Sequence, residues 1–154
     1  MSGERFKLIA EVYLLFRRGD AILLSKRANT GYEDGNWGLV AGHVDGGEPL
    51  TAAAAREALE EAGVHISPSD LTLRTVMHRG PGDERIGFFF EPARWSGEPI
   101  NAEPHKCDGL EWFALGALPS NTVAYVRKAI GDAFRGEAYS EYWKRTADDG
   151  PETR

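Results

Sequence analysis

Glu57, Glu60 and Glu61 lie at offsets i, i+3 and i+4 in the segment from Gly42 to Val64, which reads GHVDGGEPLTAAAAREALEEAGV. Residues three and four apart are neighbours on a helix, and like charges there repel. Acids also favour a helix N-terminus, whereas these lie toward the C-terminal end. A hard divalent cation would relieve the repulsion. Mg²⁺ is held by carboxylate oxygens and keeps waters and open positions for substrate phosphates. Taken alone, three such residues are more often a solvated acidic face.

The surrounding residues predict the helix itself. Pro49 stands where a helix begins, since its missing N–H is not needed in the first turn. Gly63 stands just past the end, where a left-handed cap is common. Alanine, leucine and glutamate between them are good helix formers. At 100° per residue Ala52, Ala55, Leu59 and Ala62 share one face, expected to be the buried one, with the three glutamates opposite.

The wider spacing fits G-x5-E-x7-R-E-U-x-E-E-x-G-U, where U is a bulky apolar residue. Gly42, Glu48, Arg56, Glu57, Ala58, Glu60, Glu61, Gly63 and Val64 fill its places. Seven fixed residues at roughly 6–7% frequency each coincide by chance on the order of 10⁻⁸ per starting point. The segment resembles the Nudix box, and the chain is similar to Nudix hydrolases. Two positions depart from the commonest form. Ala58 is smaller than the usual Leu, Ile or Val, and His43 replaces a frequent second glycine.

The resemblance implies roles at matching positions. Glu57, Glu60 and Glu61 would bind one or more Mg²⁺ ions, or Mn²⁺, with the Gly42 carbonyl as a further ligand. Arg56 and Glu48 would pair and fix the loop to the helix. Gly42 and Gly63 would allow backbone turns. A phosphoanhydride would be attacked by water, with a carboxylate taking the proton. That base is a box glutamate or one from a later loop. Glu103 is the later candidate, as metal ligand and base, against a solvated loop glutamate; Glu98 and Glu111 are the alternatives. Arg27 is a phosphate candidate or a surface arginine. His43, His78, Arg79 and Arg85 are candidates for touching base or phosphate. Trp37 and Trp112 could stack on a base or sit in the core, with core preferred for Trp112. Cys107 reads as a partly buried thiol without a nucleophile's surroundings.

These residues need a scaffold. The chain has 154 residues, enough for one domain with its own core. Residues 1–145 are expected to form it, and 146–154 a frayed polar tail. Strands are expected at Lys7–Phe16, Ala21–Lys26, Trp37–Val40, Leu71–His78, Arg85–Phe90 and Leu110–Ala114. Phe88, Phe89 and Phe90 would leave their strand apolar on both faces. A second helix is expected from Ser120 to Phe134, with Val123, Val126, Ile130 and Phe134 facing the core. Strands, helix, strands and helix make an α/β chain, and the resemblance implies an α/β/α sandwich with a mixed β-sheet.

Composition excludes some classes. The net charge is −6, which disfavours general nucleic-acid binding. It leaves phosphate chemistry open, because a cation reverses the local sign. The single cysteine allows no intrachain disulfide and no Cys-rich zinc site, which suits a cytoplasmic setting. Leu8–Phe16 is interrupted by Glu11 and too short to span a bilayer. The expected partner is a small nucleotide, with no nucleic acid or membrane, in a monomer or homodimer.

The compact size resembles MutT-type nucleoside triphosphate pyrophosphohydrolases, which implies a nucleoside monophosphate and pyrophosphate as products. Hydrolysis of nucleotide sugars or dinucleotides is the alternative. A nucleotide sensor is disfavoured because all three box glutamates are present. A Nudix-fold isomerase is disfavoured because its cysteine motif is missing around Cys107.

Overall fold

The computed structural model describes residues 3–144. Nine strands and two α-helices follow in the order β1 (Ile9–Leu14), β2 (Arg17–Arg18), β3 (Ala21–Arg27), β4 (Trp37–Gly38), β5 (Val40–His43), α1 (Leu50–Ala62), β6 (Leu71–Gly80), β7 (Arg85–Pro92), β8 (Cys107–Ala114), α2 (Ala124–Phe134) and β9 (Tyr139–Trp143). The tail expected at 146–154 lies outside the described residues.

Five strands form a mixed sheet in the order β5-β1-β7-β6-β9. β1 runs parallel to β7, β6 parallel to β9, and the other two pairs are antiparallel. A second, antiparallel sheet is built on β3, which pairs with β2, β4 and β8. The expected strand Trp37–Val40 is two strands, one in each sheet. Side chains alternate across a sheet, so the faces sort by residue parity. Val12, Leu14, Val40 and Phe90 pack with the alanines of α1. Tyr13, Leu15, Met77 and Phe89 pack with Tyr125, Val126, Ala129 and Ile130 of α2. Helices thus cover both faces of the mixed sheet, and Phe89 and Phe90 serve opposite cores.

The face of α1 differs from its expected one. Ala53, Ala54, Ala58 and Ala62 are buried, whereas Leu59 is 45% exposed. The cause is steric. A stripe of alanines brings the helix axis closer to the sheet than leucine would, and Ala58 is fully buried there. The rotation also carries Glu57 inward, where it is 9% exposed. Gly63 ends the helix with φ 67°, and its N–H caps the last turn.

α2 begins at Ala124, later than expected. Val123 instead donates its N–H to the Trp37 carbonyl, tying the helix start to β4. β9 has no counterpart in the expected strands, because five residues outside a clear alternation carry little signal. Asp132 of α2 holds it. Its carboxylate accepts from Lys128 Nζ at 2.6 Å and Ser140 Oγ at 2.5 Å, and also from Arg135. Burial alone would raise the Asp132 carboxyl, but the bonds from Lys128 and Ser140 outweigh it and hold the carboxyl below its ordinary value. Asp132→Ala is expected to destabilise the fold by about 3 kcal/mol, read from denaturant melts at neutral pH. The folded-state value is depressed. The contribution is therefore present above the unfolded value of about 3.9 and is lost as pH falls through the folded value. An Asp132→Ala melt equal to native at pH 7 would show that β9 is held otherwise.

Candidate active site

A cavity of about 650 Å³ opens around the edge strand β5. Val40 and Gly42 face α1, and Ala41 and His43 face the α2 side. The cavity therefore has an acidic wall from α1 and a second wall from the far face of the sheet. Glu57, Glu60, Glu61 and Glu103 line the first; Glu11, Tyr13, Arg79, Arg85 and Tyr125 line the second.

Gly42 sits in regular strand beside Glu57. A Cβ there would stand 2.1 Å from the Glu57 carboxyl carbon. The glycine is needed for this close approach, which corrects the expectation of a backbone turn. The Ala41 N–H donates to Glu61 Oε2 at 3.2 Å. Burial raises both carboxyls, and contact with Glu57 adds to the rise at Glu61. Glu60 is half-exposed.

Arg56 organises this wall. It donates to Glu48 from Nε at 3.2 Å and Nη2 at 2.8 Å. Its Nη1 reaches Glu57 at 2.9 Å and Glu60 at 3.4 Å. The loop after Gly42 is thereby tied to the helix. Glu103 is placed by the loop before β8. The Ile100 and Ala102 N–H groups donate to the Ala62 and Glu61 carbonyls, which satisfies acceptors orphaned at the helix end. Asn101 Oδ1 accepts the Glu103 N–H at 3.2 Å and steadies the turn. The charge of Glu103 also raises the Glu61 carboxyl.

The other candidates divide. Arg27 lines the cavity, donating to the Tyr32 carbonyl and Thr30. His43 and Arg85 line it too, 2.9 Å apart, with Arg85 paired to Glu11 at 2.8 Å. His78 does not line the cavity. It alternates to the opposite face of β6 from Arg79, meets Glu84 at 2.9 Å and packs on Trp143. Glu98 is bonded to Arg18, and Glu111 faces away on β8; neither joins the cavity lining. Trp37 is core, against Phe113. Trp112 packs near Trp95 under Arg18. Cys107 is buried at the cavity wall beside Ser25, with its thiol donating to the Gly109 carbonyl. Glu11 and Tyr125 were not among the expected site residues. The signal for Glu11 was a lone charge inside an otherwise apolar strand.

The donor set fits a hard dication. It is all oxygen, it includes carboxyls raised by burial and mutual contact, and Gly42 leaves the cradle open. Among the described residues no three acidic, His or Cys side chains form a ready-made cage. Arg56 bridges Glu57 and Glu60 instead, and these carboxylates would hold a cation in their ionised form. Gly42→Ala is expected to push Glu57 from its seat. Mn²⁺ affinity, followed by electron paramagnetic resonance, should fall at least tenfold with an unchanged circular dichroism spectrum. Undiminished affinity would place the cation elsewhere.

The NUDIX domain model matches residues 7–133. The NAD-capped RNA hydrolase NudC of Stutzerimonas stutzeri is 29% identical over 117 residues, 74% of this chain and 39% of that protein. The human 8-oxo-dGDP phosphatase NUDT18 is 40% identical over 108 residues, 69% of this chain and 32% of that protein. The chain thus spans under two fifths of the length of these two relatives. The crystal structure of a MutT NUDIX hydrolase from Burkholderia pseudomallei superposes with a TM-score of 0.75 at 32% identity, covering 82% of this chain and 98% of that one. A domain match over most of the chain, on a fold that brings the box carboxylates to one cavity wall, makes this chain a member of the Nudix family.

Proposed function

We propose that the chain is a Mg²⁺-dependent pyrophosphohydrolase that cleaves a nucleoside triphosphate to the monophosphate and pyrophosphate. The observation that carries the reading is the seating of Glu57 against Gly42 and of Glu61 on the Ala41 amide, on one wall of a cavity whose opposite wall is aromatic and arginine-rich. Glu57, Glu60 and Glu61, with the Gly42 carbonyl and Glu103, would hold the cation. When bound, a dication neutralises phosphate oxygens and acidifies water. Arg56 holds Glu57 and Glu60 and ties them through Glu48 to the loop after Gly42. Glu103 is positioned to take the proton of the attacking water, since it lines the cavity beside Glu61. Arg27, Lys106 and Arg85 supply cationic donors around the phosphate path. The cavity volume lies within the range usual for small-molecule sites.

The likeness to an NAD-capped RNA hydrolase and an 8-oxo-dGDP phosphatase supports diphosphate linkages as the alternative substrates. Product analysis separates them. A panel of nucleoside triphosphates, diphosphates and nucleotide sugars is incubated with Mg²⁺; phosphate is assayed with and without inorganic pyrophosphatase, and nucleoside monophosphate is followed by chromatography. Phosphate from a triphosphate only after the auxiliary enzyme is the expected result. Glu60→Gln, at an exposed position, should reduce the rate at least roughly 100-fold without altering the melting temperature. Release from diphosphates alone would overturn the triphosphate reading. Binding without turnover would make the chain a nucleotide sensor.

A further inference from the structure

Arg79 stands on the cavity wall with 18% of its side chain exposed. Its Nη2 donates to Glu11 Oε1 at 2.8 Å and reaches the Tyr13 hydroxyl at 3.5 Å. The guanidinium carbon lies 3.9 Å from the centre of the Tyr125 ring. Glu11, 7% exposed, is fixed in turn by the Tyr13 hydroxyl at 2.7 Å and Arg85 at 2.8 Å. Gly87 makes room for this arrangement, because a Cβ there would stand 2.8 Å from the Tyr13 ring. The guanidinium is thus locked in plane and orientation from three sides.

Arg79 Nε and Nη1 are different. Among the described residues neither has a hydrogen-bond acceptor, and neither is sealed from solvent. A mostly buried donor without an acceptor is costly unless a ligand or water meets it. The cavity is where that acceptor would stand. Its character follows from the surroundings. Arg79 is ion-paired with Glu11, which it shares with Arg85, so what it adds to the wall is directed N–H groups. Tyr125 lies under the guanidinium, and Leu39, Val123 and Val126 line the same cavity, which suits a flat, largely apolar group.

We propose that Arg79 is a specificity-determining residue that donates to a carbonyl oxygen on the nucleobase, so that keto bases are preferred to amino bases. Glu11 is its positioning residue. The inference rests on the reading of the cavity as a nucleotide site. The Nε–H or Nη1–H can donate to a ring carbonyl, whereas an exocyclic amino group at the same place sets donor against donor.

Inosine and adenosine 5′-monophosphates offer the test, because they differ at the purine 6-position. Calorimetry on the full chain with Mg²⁺ should show the inosine nucleotide binding at least about fivefold tighter. The same ratio should appear in kcat/KM for the two triphosphates, mainly through KM. The Glu11→Gln, Arg79→Gln pair leaves Arg85 its Asp83 partner, and it should bring the binding ratio to about one. Where that variant fails to fold, the native chain decides. Equal binding of the two monophosphates overturns the proposal, as does ribose 5-phosphate binding as tightly as either. Loss of the cavity reading itself looks different, as no nucleotide is then hydrolysed or bound.

Discussion

Two carboxylates packed against a strand edge constrain the rest of the molecule. Glu57 and Glu61 lie on the buried side of α1, where isolated charge is expensive. The fold accommodates them by contact. Arg56 bonds Glu57, the Ala41 amide bonds Glu61, and the two carboxyls share their surroundings. Each accommodation demands something of the sequence. Gly42 must lack a Cβ, and the helix must be lined by alanine to come near enough. Arg56 must span from Glu48 to Glu57, and the loop carrying Glu103 must dock on the end of the same helix.

The opposite side of β5 solves a related problem differently. Glu11 is also buried, yet its charge is matched by Arg79 and Arg85 and by a tyrosine hydroxyl. Its carboxyl stays below its ordinary value: burial would raise it, but the bonds from Tyr13, Arg79 and Arg85 outweigh burial. The two walls of one cavity therefore hold carboxylates in opposed electrostatic conditions. One wall gathers carboxyls raised by burial, and the other pairs its buried carboxylate with two arginines. Such a contrast in neighbouring groups is the pattern by which sites divide chemical labour from recognition.

The box was legible because its spacing is local. Helix, start and C-cap can all be read from residues 42–64, and the structure keeps their bounds almost unchanged. The strands with strong β-branched or aromatic content were equally legible. The inward face of α1 was misread, since treating alanine as weakly apolar and leucine as strongly apolar favours the wrong stripe. Here close approach outweighs apolar area, and Leu59 is left outside. His78 lies outside the cavity lining, because proximity to a hairpin says nothing about which face of a strand a side chain takes. Glu98 and Glu111 were separated from Glu103 only by the docking of the loop on α1.

The sequence alone determined the groups available, a cluster of carboxylates beside an arginine tether, together with the α/β class of the scaffold. Those follow from residue types at fixed short spacing, which helical and extended backbones convert directly into shared faces. The tertiary structure decided which of those groups meet. Glu11, Arg79 and Tyr125 come from β1, β6 and α2, distant in sequence, and they share a wall because parallel pairing of β1 with β7 sets their register. No local pattern encodes a register between distant strands. It is fixed by burying Tyr13, Phe89 and Met77 under α2, and the polar cluster is carried into place by that packing.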